Sequence, residues 1–98
     1  MASVTVTVGS KVGLHARPAS LFVQAAARQP VAVSIAKVGG EPVDARSILS
    51  VLGLDAHGGD VVVLTAEGEG AGQALAELAG VVATDHDTEH ATAGEAGP

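Results

Sequence analysis

The chain opens on a strict alternation. Val4, Val6 and Val8 fall on one side of an extended segment, and Thr5 and Thr7 fall on the other. This period of two marks a strand with one buried face. A loop from Gly9 to Leu14 follows, and the period changes from Ala16 to Arg28. There Ala19, Phe22, Val23 and Ala26 form one apolar stripe at helical spacing, as on an amphipathic helix. Pro18 sits in its first turn and Pro30 beyond its last, places where a missing N–H costs nothing or where a helix stops.

Val31, Val33 and Ile35 then alternate with Ala32, Ser34 and Ala36, and Gly39-Gly40 turns the chain into a short return, Glu41-Pro42-Val43. The returning strand is expected at a sheet edge, because Pro42 cannot donate to an inner ladder. Ser47 is an N-cap candidate for a short helix carrying Ile48, Leu49, Val51 and Leu52, with Gly53 at its end. Asp60 to Ala66 reads as a strand. Ala71, Leu75, Leu78 and Val82 give a last helical stripe, with Glu69 near its positive end. The order is βαββαβα. Each helix has a single apolar stripe, so all three are expected on one face of a four-stranded sheet, a two-layer α+β fold with its other face in water. The run Val61 to Val63 marks either a central strand or an apolar surface.

Composition narrows the possibilities. Ninety-eight residues allow one small domain, and with aromatics at 1% the core must be built from Val, Ala and Leu around a lone Phe22. The same poverty of aromatics and a net charge of −6 argue against direct nucleic-acid binding. Zero cysteines exclude disulfides, thiolate metal sites and cysteine nucleophiles. No basic segment precedes a long apolar one, and no apolar run approaches the roughly 20 residues of a membrane span, so a cytoplasmic protein without membrane insertion is expected. Asp85, Asp87, Glu89 and Glu95 supply four of the excess negative charges within the last fourteen residues. The folded unit is therefore placed at residues 1–84, with 85–98 a solvated acidic tail.

The candidate chemistry concentrates in Gly13-Leu14-His15-Ala16-Arg17-Pro18-Ala19. A histidine at the junction of loop and helix lies beside unpaired backbone N–H groups, here those of Ala16 and Arg17, and beside the positive end of the helix dipole. Arg17 adds a planar donor fork suited to phosphate oxygens. These positive surroundings favour a neutral imidazole with a lone pair to offer. Such a site accepts a phosphoryl group on nitrogen. No neighbouring carboxylate activates water, and there is neither a P-loop nor an Asp cluster for magnesium. A lone histidine is ordinarily a cap or a surface residue, but the company of Gly13, Arg17 and Pro18 favours the phosphate reading.

The Gly-Leu-His-Ala-Arg-Pro-Ala run resembles the active-site signature of the HPr family, the histidine-containing phosphocarriers of the bacterial phosphoenolpyruvate-dependent sugar phosphotransferase system. The resemblance spans residues 2 to about 84 and includes Arg46-Ser47-Ile48-Leu49-Ser50-Val51-Leu52-Gly53-Leu54. It implies an open-faced β-sandwich with a four-stranded antiparallel sheet. It also implies a carrier component rather than a free-standing enzyme. His15 would be phosphorylated on Nδ1 by enzyme I and would pass the group to a sugar-specific enzyme IIA, with Arg17 steadying it. Ser47 matches the family's regulatory serine, a target of an ATP-dependent HPr kinase/phosphorylase acting in catabolite control, although an N-cap role already accounts for a serine there. The alternatives are a regulatory binding module working through Ser47 or a paralogue dedicated to nitrogen or fructose regulation.

Leu21, Leu49 and Leu52 are candidates for an apolar docking patch, and Lys11, Arg17 and Arg46 for a positive rim suited to acidic partners. Core burial is the competing reading for Leu49 and Leu52. A monomer is expected. His86 and His90 stand four apart beside Asp85 and Asp87, a spacing that on a helix would present a pair of metal ligands, but in an acidic tail they read as solvated, and His57 beside Gly58-Gly59 reads as a loop residue. No metal site and no cofactor are expected.

Overall fold

The alternating valines of the first segment become an outer strand whose apolar side closes over a layer of helices. The computed structural model describes residues 1–84. Its elements are β1 (Ala2–Thr7), α1 (Ala16–Ala27), β2 (Val33–Lys37), β3 (Val43–Asp44), α2 (Ile48–Gly53), β4 (Val61–Ala66) and α3 (Ala71–Ala83). The strands form one sheet in the order β1-β4-β2-β3, and every neighbouring pair is antiparallel. The βαββαβα order, the four-stranded sheet and the helical layer are those the periodicities predict. The acidic segment and the His86/His90 pair lie outside the described residues.

Register explains the core. Val4 pairs with Leu64, Leu64 with Ile35, and Ile35 with Val43, so one row of aliphatic side chains crosses all four strands on the inner face. The neighbouring row, Ser3, Thr65, Ser34 and Asp44, faces the opposite way because successive side chains alternate. β4 is a central strand, as Val61 to Val63 suggested, and the run also leaves Val61 39% exposed at its end. Helix α3 packs on β1 and β4, α1 on α3, and α2 on α1 and β3. Phe22, Ile35, Leu64 and Leu78 are wholly buried between the layers.

Local details differ from the periodicity reading. In α1 the buried residues are Pro18, Ala19, Phe22, Ala25 and Ala26, while Val23 is half-buried. The stripe is turned toward the smaller alanine because α1 must also meet α3. β2 begins at Val33 rather than Val31, and β3 is Val43–Asp44, one step beyond the expected return. Pro42 thus stands just outside the ladder it cannot join. Ser47 caps α2 as expected, its Oγ accepting from the Ser50 N–H at 3.2 Å. Gly53, however, is the last helical residue and Leu54 the C-cap, with φ −65°. The left-handed residue that ends the segment is Asp55, at φ +54°, a residue type that tolerates this region better than most.

Phe22→Ala removes the largest fully buried side chain and leaves an aliphatic cavity. It is expected to cost about 3–5 kcal/mol, seen as a lower urea midpoint at unchanged m-value.

Candidate functional site

Two loops meet at the end of the sheet from which α1 starts. The Val8 N–H donates to the Asp60 carbonyl at 2.8 Å, the Gly59 N–H to the Val8 carbonyl at 2.9 Å, and the Leu14 N–H to the Ala56 carbonyl at 2.8 Å. Their approach is so close that a Cβ on Gly13 would stand 2.2 Å from the Ala56 oxygen and 2.7 Å from the His57 Cα. One on Gly58 would stand 2.6 Å from the Ser10 oxygen. Gly13 also has φ +76°, where a side chain is strained as well as crowded. Leu14, buried to 2% exposure, then pins the chain as it enters the helix.

His15 follows as the N-cap of α1, with extended backbone (φ −128°, ψ 163°) and no hydrogen bond from its side chain to the helix. Its imidazole is left for other work, with 38% of the side chain exposed. The next residue, Ala16, is helical by position yet has φ +47°, a strain of about 1–3 kcal/mol that surrounding contacts must hold in place. The helix offers no intrahelical acceptor to the Ala16 and Arg17 N–H groups, and Pro18 has no N–H to place. The first helical bond is from the Ala19 N–H to the His15 carbonyl, at 3.5 Å. Exposed Arg17 stands at this same turn. Two backbone N–H groups without a helical acceptor, the exposed Arg17 and the positive helix end thus share one turn with an accessible imidazole, an arrangement that suits an anion.

The structure adds what the sequence did not suggest. The His15 Nε2 lies 3.5 Å from the Asp55 Oδ1, and the same oxygen lies 3.4 Å from the His57 Nε2. The two rings stand 6.1 Å apart, tilted by 43°. Asp60 in turn accepts from the His57 N–H at 2.9 Å and places its Oδ2 3.7 Å from the His57 Nδ1 and 3.9 Å from the Lys37 Nζ. A site read as locally positive therefore carries a carboxylate on one side of its histidine. His57, read as an ordinary loop residue, faces the candidate acceptor. The available sequence signal was weak: an acid and a histidine two apart in a loop, some forty residues from His15 along the chain.

The other candidates are spread over the first two helices. Leu49 is 79% exposed, which removes the core reading for that residue, while Leu52 is half-buried against the core and Leu21 is half-buried on α1. Val12 and Ile48, not singled out from the sequence, are also exposed apolar residues. Lys11 and Arg46 are exposed. Arg46 is engaged with Asp44, its N–H donating at 2.9 Å and its guanidinium at 3.3 Å and 3.5 Å. The backbone bond from Arg46 and then its side chain hold the Asp44 carboxyl below the usual carboxylate range. This partly neutralises Arg46 as a rim charge. Ser47 is half-buried, its hydroxyl serving as the α2 cap.

The chain is thus a small open-faced α+β sandwich that presents an accessible histidine, without a side-chain cap bond, at a helix start. Comparison with known proteins makes the class specific. The family described as the PTS HPr component phosphorylation site matches residues 2–84. The phosphocarrier protein HPr of Streptomyces coelicolor is 55% identical over 83 residues, covering 85% of this chain and 89% of its own. The HPr-like protein Crh of Bacillus subtilis is 43% identical over 82 residues, covering 84% and 95%. The crystal structure of a phosphocarrier protein HPr from Bacillus anthracis superposes with a TM-score of 0.78 at 41% identity, covering 83% and 95%. The chain belongs to the HPr family of the phosphotransferase system.

Gly13→Ala tests the meeting of the loops. Left-handed backbone alone costs about 1–2 kcal/mol for a residue bearing a Cβ, and the overlap with the Ala56 carbonyl adds to it. Urea unfolding is expected to show at least that loss, and the side-chain NMR signals of His15 and His57 to move together.

Proposed function

We propose that His15 is the acceptor through which this phosphocarrier of the phosphotransferase system works, taking a phosphoryl group from phospho-enzyme I and giving it to an enzyme IIA. The observation that carries the proposal is an uncapped, accessible imidazole beside the free N–H groups that start α1. A phosphoryl group in flight needs alignment and charge neutralisation more than covalent assistance. The Ala16 and Arg17 N–H groups and the Arg17 guanidinium supply part of that, and a docked partner supplies the remainder.

The two ring nitrogens have different surroundings. Nε2 faces Asp55, so it is the nitrogen suited to keep the proton, and Nδ1 is left with the lone pair. In the transfer, the Nδ1–phosphorus bond forms as phosphorus leaves the donor, whose leaving group keeps the electron pair of the broken bond. The proton stays on Nε2 and the positive charge of the phosphorylated ring is balanced by the Asp55 carboxylate. The return step is the same in reverse, with the enzyme IIA nucleophile as acceptor.

Docking falls to exposed Leu49 with Ile48 and Val12, bordered by Leu21 and Leu52 and by the charges of Lys11, Arg17 and Arg46. Acidic protein partners fit this rim. The carrier acts as a monomer in the cytoplasm, and none of the described helices is long and apolar enough to cross a membrane. Likeness to Crh, the catabolite repression HPr of Bacillus subtilis, supports a second, regulatory reading, in which a kinase/phosphorylase would modify Ser47 and a catabolite regulator would read the result. Phosphate at the α2 cap is compatible with the helix start and adds negative charge beside the docking surface, weakening acidic partners without unfolding the domain. The intact His15 and Arg17 pair favours the carrier reading, since a purely regulatory surface has no need of that histidine.

Incubation with enzyme I and phosphoenolpyruvate is expected to add one acid-labile phosphate to the wild-type protein and none to His15→Ala, read by intact-mass spectrometry. An unmodified wild type overturns the proposal. Leu49→Ala is expected to leave thermal stability unchanged and to raise the KM of enzyme I for this protein about five-fold, the equivalent of about 1 kcal/mol at an apolar anchor. An unchanged KM removes Leu49 from the docking surface.

A further inference from the structure

The cluster around Asp55 has the makings of a metal site. His15, Asp55 and His57 each offer one ligand atom, and the three atoms lie within 4.8 Å of one another. Two imidazoles and a carboxylate form a donor set suited to Zn²⁺, whose bonds of about 2.0–2.2 Å to N and O place tetrahedral ligands about 3.4 Å apart. The Asp55 Oδ1 stands 3.5 Å from the His15 Nε2 and 3.4 Å from the His57 Nε2, so these two edges match such a site, and the third, between the two imidazoles, is within 4.8 Å. The three side chains are 38%, 68% and 63% exposed, leaving room for entry and for water at a fourth position.

A second feature, independent of those three atoms, fits the same use. Histidines that bind metals direct their other ring nitrogen at a carboxylate or carbonyl, which fixes the tautomer and raises basicity. Asp60 stands on the Nδ1 side of His57 at 3.7 Å, and its Oδ2 is fixed by the His57 N–H at 2.9 Å. His57 thus has one carboxylate on its Nδ1 side and Asp55 on its Nε2 side. The loop contact that brings Ala56 onto Leu14 holds Asp55 and His57 across from His15.

We infer that His15, Asp55 and His57 bind one Zn²⁺ ion, and that zinc and the phosphoryl group compete for His15. The competition follows from the ring. Bound through Nε2, a neutral imidazole carries its proton on Nδ1 and has no lone pair there. Metal-bound His15 therefore cannot accept phosphorus until zinc departs. The binding half of the inference is separate from the proposed function, whereas the competition rests on His15 being the phosphoryl acceptor.

Titration of the full chain with ZnCl2 alone, followed by calorimetry and by the histidine side-chain signals in NMR, tests the binding half. One ion is expected, moving the His15 and His57 signals. Asp55→Asn and His57→Gln are each expected to weaken the affinity at least ten-fold, and Asp60→Asn by about ten-fold, the lower end of the effect of removing a carboxylate behind a metal-bound histidine. A double substitution His86→Gln and His90→Gln is expected to retain the site. The inference is overturned if zinc leaves the His15 signals unmoved, or if only the His86 and His90 substitutions reduce binding. In the enzyme I assay, zinc is expected to slow phosphorylation of the wild type more than that of His57→Gln, each compared with its own zinc-free rate. Equal slowing overturns the competition while leaving the calorimetric result intact, and a wild type never phosphorylated counts against the carrier reading alone.

Discussion

The contact between the loop entering α1 and the loop leaving α2 is the constraint on which the site depends. A backbone hydrogen bond from the Leu14 N–H to the Ala56 carbonyl, at 2.8 Å, joins them where Gly13 and Gly58 have no side chains to keep them apart. Buried Leu14 locks one side and the ladder between β1 and β4 locks the other. His15 is carried out of this junction at a fixed angle. Its neighbours Asp55 and His57 arrive from the opposite loop because that loop cannot retreat without breaking the same bond.

Strain is concentrated at the same place. Ala16 at φ +47° and Asp55 at φ +54° are the non-glycine residues with positive φ among those described, and both adjoin the histidine site. Each is expensive by itself, so their persistence reflects how tightly the flanking segments are held. The result is an imidazole between two electrostatic environments. On one side are backbone donors, a helix end and Arg17, which attract anionic oxygen. On the other is a carboxylate that attracts the ring proton or a cation. The two ring nitrogens therefore differ in their surroundings.

The aliphatic core explains why so little chemistry suffices. Among the described residues nearly all buried positions are Val, Ala and Leu, and the side chains around His15 are partly or largely exposed. The imidazole at this open site is accessible from solvent. Exposed Leu49 and Ile48 on α2 lie outside the core because the six-residue helix turns Val51, and in part Leu52, inward and these two residues outward.

Much of this was legible in the chain. Alternation in β1, the stripes of α1 and α3, the Ser47 cap and the Pro42 edge follow from local rules that act over two to four residues, and they give the order βαββαβα without any tertiary contact. His15 and Arg17 were legible for the same reason, being neighbours at a recognisable helix start. The exact face of α1 was not, because burial of Ala25 in place of Val23 is decided by how α1 meets α3. Nor was the company of His15. Asp55 and His57 come from some forty residues away, and their approach depends on a loop closure set by backbone contacts and two absent side chains. Periodicity along a segment determines which way its own side chains point, whereas only the packing of distant segments decides which charges meet across the gap between them.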